Sequence, residues 1–215
     1  MSQMQVFVSV GTTANDRQEA FVRAVEDRLR AEGLSPCTVG RNSFSSDSPF
    51  KAVIELMGKC SGIVVIALER IFVEAGAEKR GGAAEKQLAA EKIATPWNQI
   101  EGALAYARGY PLLVLVEEGV RADGLFETSL FWHVQTVKLD ATSLNTPMFN
   151  GVLASWKAKL MLPAQSKPSE IANPSEMTVS QLLGSLKAAQ LWSLLLALAA
   201  VIAGAFAIGA KLIGS

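Results

Sequence analysis

The 215-residue sequence is poor in the residues from which metal sites and redox sites are usually built. It has one histidine, His133, which excludes a histidine-based metal centre. His133 lies in a Phe-Trp-His stretch beside an expected strand and reads as core or rim packing. The two cysteines, Cys37 and Cys60, are far apart and in no metal-ligand spacing. They suit a reducing cytosol and read as small buried hydrophobes. No charge of either sign is in excess, since Lys+Arg and Asp+Glu stand at 20 each. A basic surface or basic aromatic platform for nucleic acid is therefore not expected. No internal repeat and no cleavable leader is visible, because the apolar stretch 4–10 is too short and reads as a strand. What the chain does have is apolar residues, 50% of the total, enough for a core and something beyond it.

Part of that surplus is the uncharged run 191–210, LWSLLLALAAVIAGAFAIGA. Twenty helical residues rise about 30 Å, the thickness of a bilayer's hydrocarbon core. The run is apolar all round rather than on one stripe, which favours a membrane span over a core helix. Trp192, Lys187 and Lys211 stand at its edges, where an aromatic anchor and snorkelling lysines belong. The expectation is one C-terminal transmembrane helix, inserted after translation, with the N-terminal domain in the cytoplasm on a bacterial inner membrane. Ala199, Ala203 and Ala207 repeat small residues four apart, a pattern that permits self-association and is also common in membrane helices generally. Before this run, 163–177 is a Pro-rich polar linker. Val179, Leu182, Leu183 and Leu186 then recur at helical spacing. The expected organisation is an α/β domain over 1–162, the linker, and a juxtamembrane and membrane helix over 178–213.

Within 1–162, apolar strands alternate with amphipathic helices. Strands are expected over 6–11, 37–40, 63–68, 111–116 and 134–139. Helices are expected over 16–32, from Pro49 with Phe50, Val53, Ile54 and Met57 buried, from Pro96 to about Gly109, and over the Phe149–Leu160 region. The Gly-, Ala- and charge-rich segment 69–94 reads as a partly helical insertion whose charges form a solvated face. Such alternation implies a doubly wound, flavodoxin-like parallel sheet of five strands in the order 2-1-3-4-5. Ligands in that architecture sit at the carboxyl ends of the strands, where the order reverses.

The loops at that end carry the candidate site. Trp97 and Glu101 are one turn apart, with Trp97, Ile100, Leu104 and Ala107 as the expected apolar stripe and Glu101 at its edge. A half-buried carboxylate beside an aromatic ring suits chemistry on a ribose. Asn98 is grouped with Trp97 as a nucleotide contact. Ser9, Gly11 and Thr12 form a first loop where backbone N–H groups can hold a phosphate. Arg41 and Phe44 follow the second strand, as a phosphate and a stacking contact, or as part of a polar turn. Arg70 follows the third and faces the crevice, or pairs with Glu69 or Glu74. No metal or resident cofactor is expected.

This arrangement resembles the TIR domains and the related nucleoside 2-deoxyribosyltransferases. Ser9-x-Gly11 ends the first strand, Trp97-x-x-x-Glu101 resembles the Trp-x-x-x-Glu pattern of bacterial TIR proteins, and Glu101-Gly-Ala-Leu-Ala-Tyr resembles the glutamate helix of the transferases. The resemblance spans about residues 4–140 and implies that Glu101 is catalytic. It implies an N-glycosidase acting on NAD or another nucleotide, anti-phage defence, and a homo-oligomer. Two further readings stand beside it: a nucleotide sensor whose oligomerisation disturbs the bilayer through the C-terminal helix, and a self-associating scaffold.

Overall fold

The computed structural model describes residues 3–127 and 132–161. The linker and membrane-helix expectations, including the run 191–210, lie outside the described residues. Among the described residues no helix is long and apolar enough to cross a membrane.

The chain runs β1 (Met4–Val10), α1 (Asp16–Ala31), β2 (Leu34–Cys37), α2 (Pro49–Gly58), β3 (Ile63–Ala67), β4 (Ile71–Glu78), β5 (Lys86–Ile93), α3 (Pro96–Ala107), β6 (Leu112–Glu117), β7 (Val134–Val137) and α4 (Pro147–Leu160). Short 3-10 turns lie at Gly124–Phe126 and Ala141–Asn145. Five strands form one parallel sheet in the order β2-β1-β3-β6-β7. With the β4–β5 hairpin set aside as an insertion, this is the expected 2-1-3-4-5 order. The strand period of two sends alternate residues to opposite faces. Val6, Val8, Val64 and Ile66 pack with Phe21 and Val25 of α1 and with Leu153 and Trp156 of α4. Phe7, Ile63, Val65 and Val114 pack on the other face with Val53 and Met57 of α2 and Ala105 of α3. Every residue of β3, the middle strand, is buried, as a sheet covered on both faces requires.

Several expectations are corrected. The second strand begins at Leu34, because Gly33, at φ 80°, ends α1 and turns the chain directly into register with Met4. Residues 38–43 are instead a turn, in which the Thr38 carbonyl accepts from the amides of Arg41, Asn42 and Ser43. The segment 69–94 is not helical. It is an antiparallel hairpin in which Ile71, Phe72 and Val73 face Ile93, Lys92 and Glu91. Its β-branched start and its turn glycines outweigh the helix propensity of its Ala, Glu and Lys residues. On α2 the buried residues are Ala52, Val53, Leu56 and Met57, and Phe50 is exposed. Cys60 is buried as expected and Cys37 partly so. His133 is exposed rather than packed.

The hairpin is tied to the sheet at its stem. Lys92 pairs with Glu69 at 3.0 Å and Glu117 at 3.4 Å. Glu117, buried at the end of β6, also accepts from the Glu69 amide at 2.8 Å. Arg121 pairs with Glu78 at 2.8 Å.

Candidate functional site

A cleft of about 290 Å³ opens at the carboxyl ends of β1 and β3. It is lined by Val10, Gly11, Thr12, Val39, Pro49, Val53, Arg70, Thr95, Trp97 and Glu101. Its position is the topological switch point, since the chain leaves β1 for β2 on one side and reaches β3 on the other.

One wall is α3, and local chemistry sets how this helix begins and how it is rolled. Thr95 caps it, its hydroxyl accepting from the Trp97 amide, and Pro96 supplies a preset first turn. Asn98 then pins the roll. Its Nδ2 donates to Ser9 Oγ at 2.9 Å and to the Ser9 carbonyl at 3.1 Å. One turn further, Gly102 admits Leu125: a Cβ there would lie 2.2 Å from Leu125 Cδ2. The buried residues of α3 are accordingly Asn98, Glu101, Gly102 and Ala105. The first part of the expected apolar stripe is therefore turned away from the core, with Trp97 42% exposed and Ile100 exposed beside it, while Leu104 packs against the core. Gly11 allows the first loop to approach the start of α3, where a Cβ would stand 3.1 Å from Thr95 Cγ2.

Glu101 is 8% exposed. Burial pushes its carboxyl above the ordinary value of 4.5, and a hydrogen bond from Ser9 works against that rise. Ser9 itself is buried at the end of β1, beneath the cleft rather than lining it. Arg70, just before β4, is exposed in the cleft wall, and its amide donates to the Ile93 carbonyl to close the hairpin stem. Among the described residues Arg70 makes no ion pair with Glu69 or Glu74, and Glu69 pairs with Lys92 instead.

The structure thus brings Gly11, Thr12, Arg70, Trp97 and Glu101 into the cleft wall, with Ser9 and Asn98 buried beneath it rather than lining it. It places the other two candidates elsewhere. Arg41 donates to Glu19 at 2.7 and 2.9 Å and to Glu26 at 2.9 Å. That guanidinium and the one on Arg23 hold the Glu19 carboxyl down at about 2. Phe44 is 80% exposed and, like Arg41, does not line the cleft. The sequence reading missed Thr95, Val39 and Val53 as wall residues. Thr95 was findable, as a capping residue followed by proline at the mouth of the crevice. Among the described residues no group of three or more His, Cys, Asp and Glu side chains is arranged to hold a metal ion.

Chemically, the cleft offers a carboxyl shielded from water, a half-exposed aromatic ring, a cation, and the backbone of a glycine loop. That set can stack a base, hold an anionic group and act at a sugar carbon between them.

No family model matches the chain, and no curated protein matches it. Among solved structures it is similar to the CMP N-glycosidase BcmB of Clostridium botulinum, at 16% identity and a TM-score of 0.38, over 65% of this chain and 92% of that one.

Proposed function

We propose that this chain is a nucleotide-binding domain that cleaves an N-glycosidic bond, with Glu101 as the carboxylate acting at C1′. The observation that carries the reading is Glu101: a desolvated carboxyl in the wall of a cleft at the switch point of a parallel sheet, with Trp97 and Arg70 in the same lining. In such a reaction the C1′–N bond breaks and its electron pair leaves with the base. The carboxylate steadies the positive charge that develops on the sugar, or adds to C1′, and water completes the hydrolysis. Trp97 stacks on the base, and Arg70 with the 11–12 loop holds phosphate.

At about 290 Å³ the cleft lies at the small end of ligand pockets, which run from roughly 300 to 1,000 Å³. That favours one nucleotide, or one half of NAD with the other half outside. Anchoring to a membrane is part of the proposal and rests on the uncharged run 191–210. Self-association is part of the proposal through the small-residue spacing at Ala199, Ala203 and Ala207, and a role in anti-phage defence rests on the sequence resemblance.

The test is to incubate the full chain, kept in detergent, with NAD and with purine and pyrimidine 5′-monophosphates, and to measure free base by chromatography. Release of base from at least one of them is expected. Thermal stabilisation by a nucleotide without release would replace the enzyme with a sensor. Neither response would leave the scaffold reading.

A further inference from the structure

Glu117 ends β6 and is 8% exposed. A buried carboxylate is unfavourable unless it is paired and hydrogen-bonded. This one is met by three donors, and its two oxygens serve different strands. Oε2 accepts from the Glu69 amide at 2.8 Å and from Gln18 Nε2 at 3.4 Å. Oε1 accepts from Lys92 Nζ at 3.4 Å. Glu69 lies where the chain passes from β3 to β4, and Lys92 lies one residue before the end of β5. One carboxylate thus grips both strands of the hairpin stem.

The consequence falls on Glu69 and the residue after it. The Glu69 amide donates to Glu117, its carbonyl accepts from Gln18 Nε2 at 2.9 Å, and its carboxylate pairs with Lys92 at 3.0 Å. Gln18 is itself fixed, because its Oε1 accepts from the Ala14 amide at 2.7 Å. Both backbone polar groups of Glu69 are therefore satisfied by side chains, one from β6 and one from α1. Next comes Arg70, whose amide donates to the Ile93 carbonyl at 2.9 Å and whose side chain lines the cleft. Among the described residues that side chain makes no ion pair. A side chain without a partner takes its place from its backbone. We propose that Glu117 is a positioning residue for nucleotide binding: by holding Glu69 and Lys92 together it sets the stem so that Arg70 meets the phosphate.

Glu117 does not line the cleft, so it acts through the stem. The other wall has fastenings of its own, in the bonds from Asn98 to Ser9 and the seat of Leu125 at Gly102. A loosened stem is therefore felt at Arg70 before it is felt at α3. Glutamine at position 117 would keep the shape and lose the grip. Its single oxygen can serve the Glu69 amide or the Lys92 ammonium, and its NH2 then meets the other, donor against donor.

The inference rests on the reading of Arg70 as the phosphate contact, but its test needs no cleavage. The probes are pseudouridine, formycin A and their 5′-monophosphates, whose base is joined to the sugar by a C–C bond that this chemistry does not cut. Each is titrated calorimetrically into the full chain in detergent. Wild type should bind the monophosphates about tenfold or more tightly than the nucleosides, the worth of a charge-assisted contact. Glu117→Gln should cut that preference roughly threefold or more and leave nucleoside affinity in place. Arg70→Ala should remove more of it, and the double variant should match Arg70→Ala alone. No preference in the wild type, an intact preference in Glu117→Gln, equal weakening of nucleotide and nucleoside, or a further loss in the Arg70→Ala background would each overturn the inference. Should Glu117→Gln not fold, Lys92→Gln decides by the same phosphate-selective loss. Base release with an unmoved preference keeps the cleavage reading and ends this inference. A preference lost in Glu117→Gln without base release does the reverse.

Discussion

Trp97 and Glu101 are one helical turn apart on α3, yet the indole is 42% exposed and the carboxylate only 8%. At the start of the helix Asn98 and Glu101 face inward while Trp97 and Ile100 face outward, and Leu104 still packs against the core. A helix selected only for packing would do the reverse. Trp97 therefore contributes little to the core. Trp97→Ala should cost clearly less stability than the roughly 3–5 kcal/mol lost when a fully buried tryptophan is truncated. Loss of base stacking should weaken nucleotide binding by about 1–3 kcal/mol, or roughly 10- to 100-fold. Calorimetric titration alongside thermal unfolding separates the two, and a large loss of stability would place Trp97 in the fold instead.

Glu101 also makes a signed prediction about pH. Its folded value is raised above 4.5, so the native state holds more protons than the unfolded one in the window above that value. Stability then falls as pH rises through this window. Glu101→Gln removes the burden. Its stabilising effect should be absent near pH 4 and should grow towards pH 7.5 in thermal unfolding scans. A pH-independent effect would contradict the burial of an ionisable group at this point.

The opposite sign holds for Glu19. Arg41 and Arg23 draw its carboxyl from 4.5 down to about 2. That contribution to stability is complete above about pH 4.5 and disappears as pH falls towards 2. Arg41→Ala should therefore destabilise the protein most at neutral pH, with the difference shrinking through that window. Because Arg41 is engaged by Glu19 and Glu26, nucleotide affinity should be unchanged. A drop in affinity comparable with that of Arg70→Ala would return Arg41 to the site.

Gly102 lets Leu125 seat directly against α3, next to Glu101. Gly102→Ala forces a methyl group into the space held by that buried side chain, at a cost of about 1–3 kcal/mol for overpacking. Helix propensity alone would have favoured alanine by about 1 kcal/mol. Chemical denaturation decides between the two. A stabilised variant would mean that Leu125 moves aside freely.

Much of the frame is legible in the sequence alone. The continuous apolar runs of β3 and β6, the one-sided α1, the proline start at Pro49 and the capped start at Pro96 carry their own structural instructions, and the parallel order follows from their alternation; Ser48, expected to cap α2, makes no side-chain capping hydrogen bond. The hairpin was not legible, because its Ala, Glu and Lys residues favour helix while only pairing across the strands resolves the conflict. The roll of α3 was hidden for a related reason. Hydrophobic periodicity assumes that a helix buries its apolar face, and here two hydrogen bonds from Asn98 to Ser9, 89 positions earlier in the chain, prevail over it. Glu101 was found by its spacing from Trp97, but its burial depends on that long-range contact. Arg41 looked free in sequence, and only folding brings it against Glu19 and Glu26.

The central claim is that Glu101 acts on the glycosidic bond rather than merely shaping the cleft. The most direct measurement compares wild type and Glu101→Gln, both as full chains, for nucleotide binding and for base release on the same nucleotide. The account predicts that the variant binds with affinity within a few-fold of wild type while release falls by about a hundredfold or more, as the loss of a group acting in the transition state should. Equal release by both proteins would contradict it, and so would loss of binding and release in the same proportion.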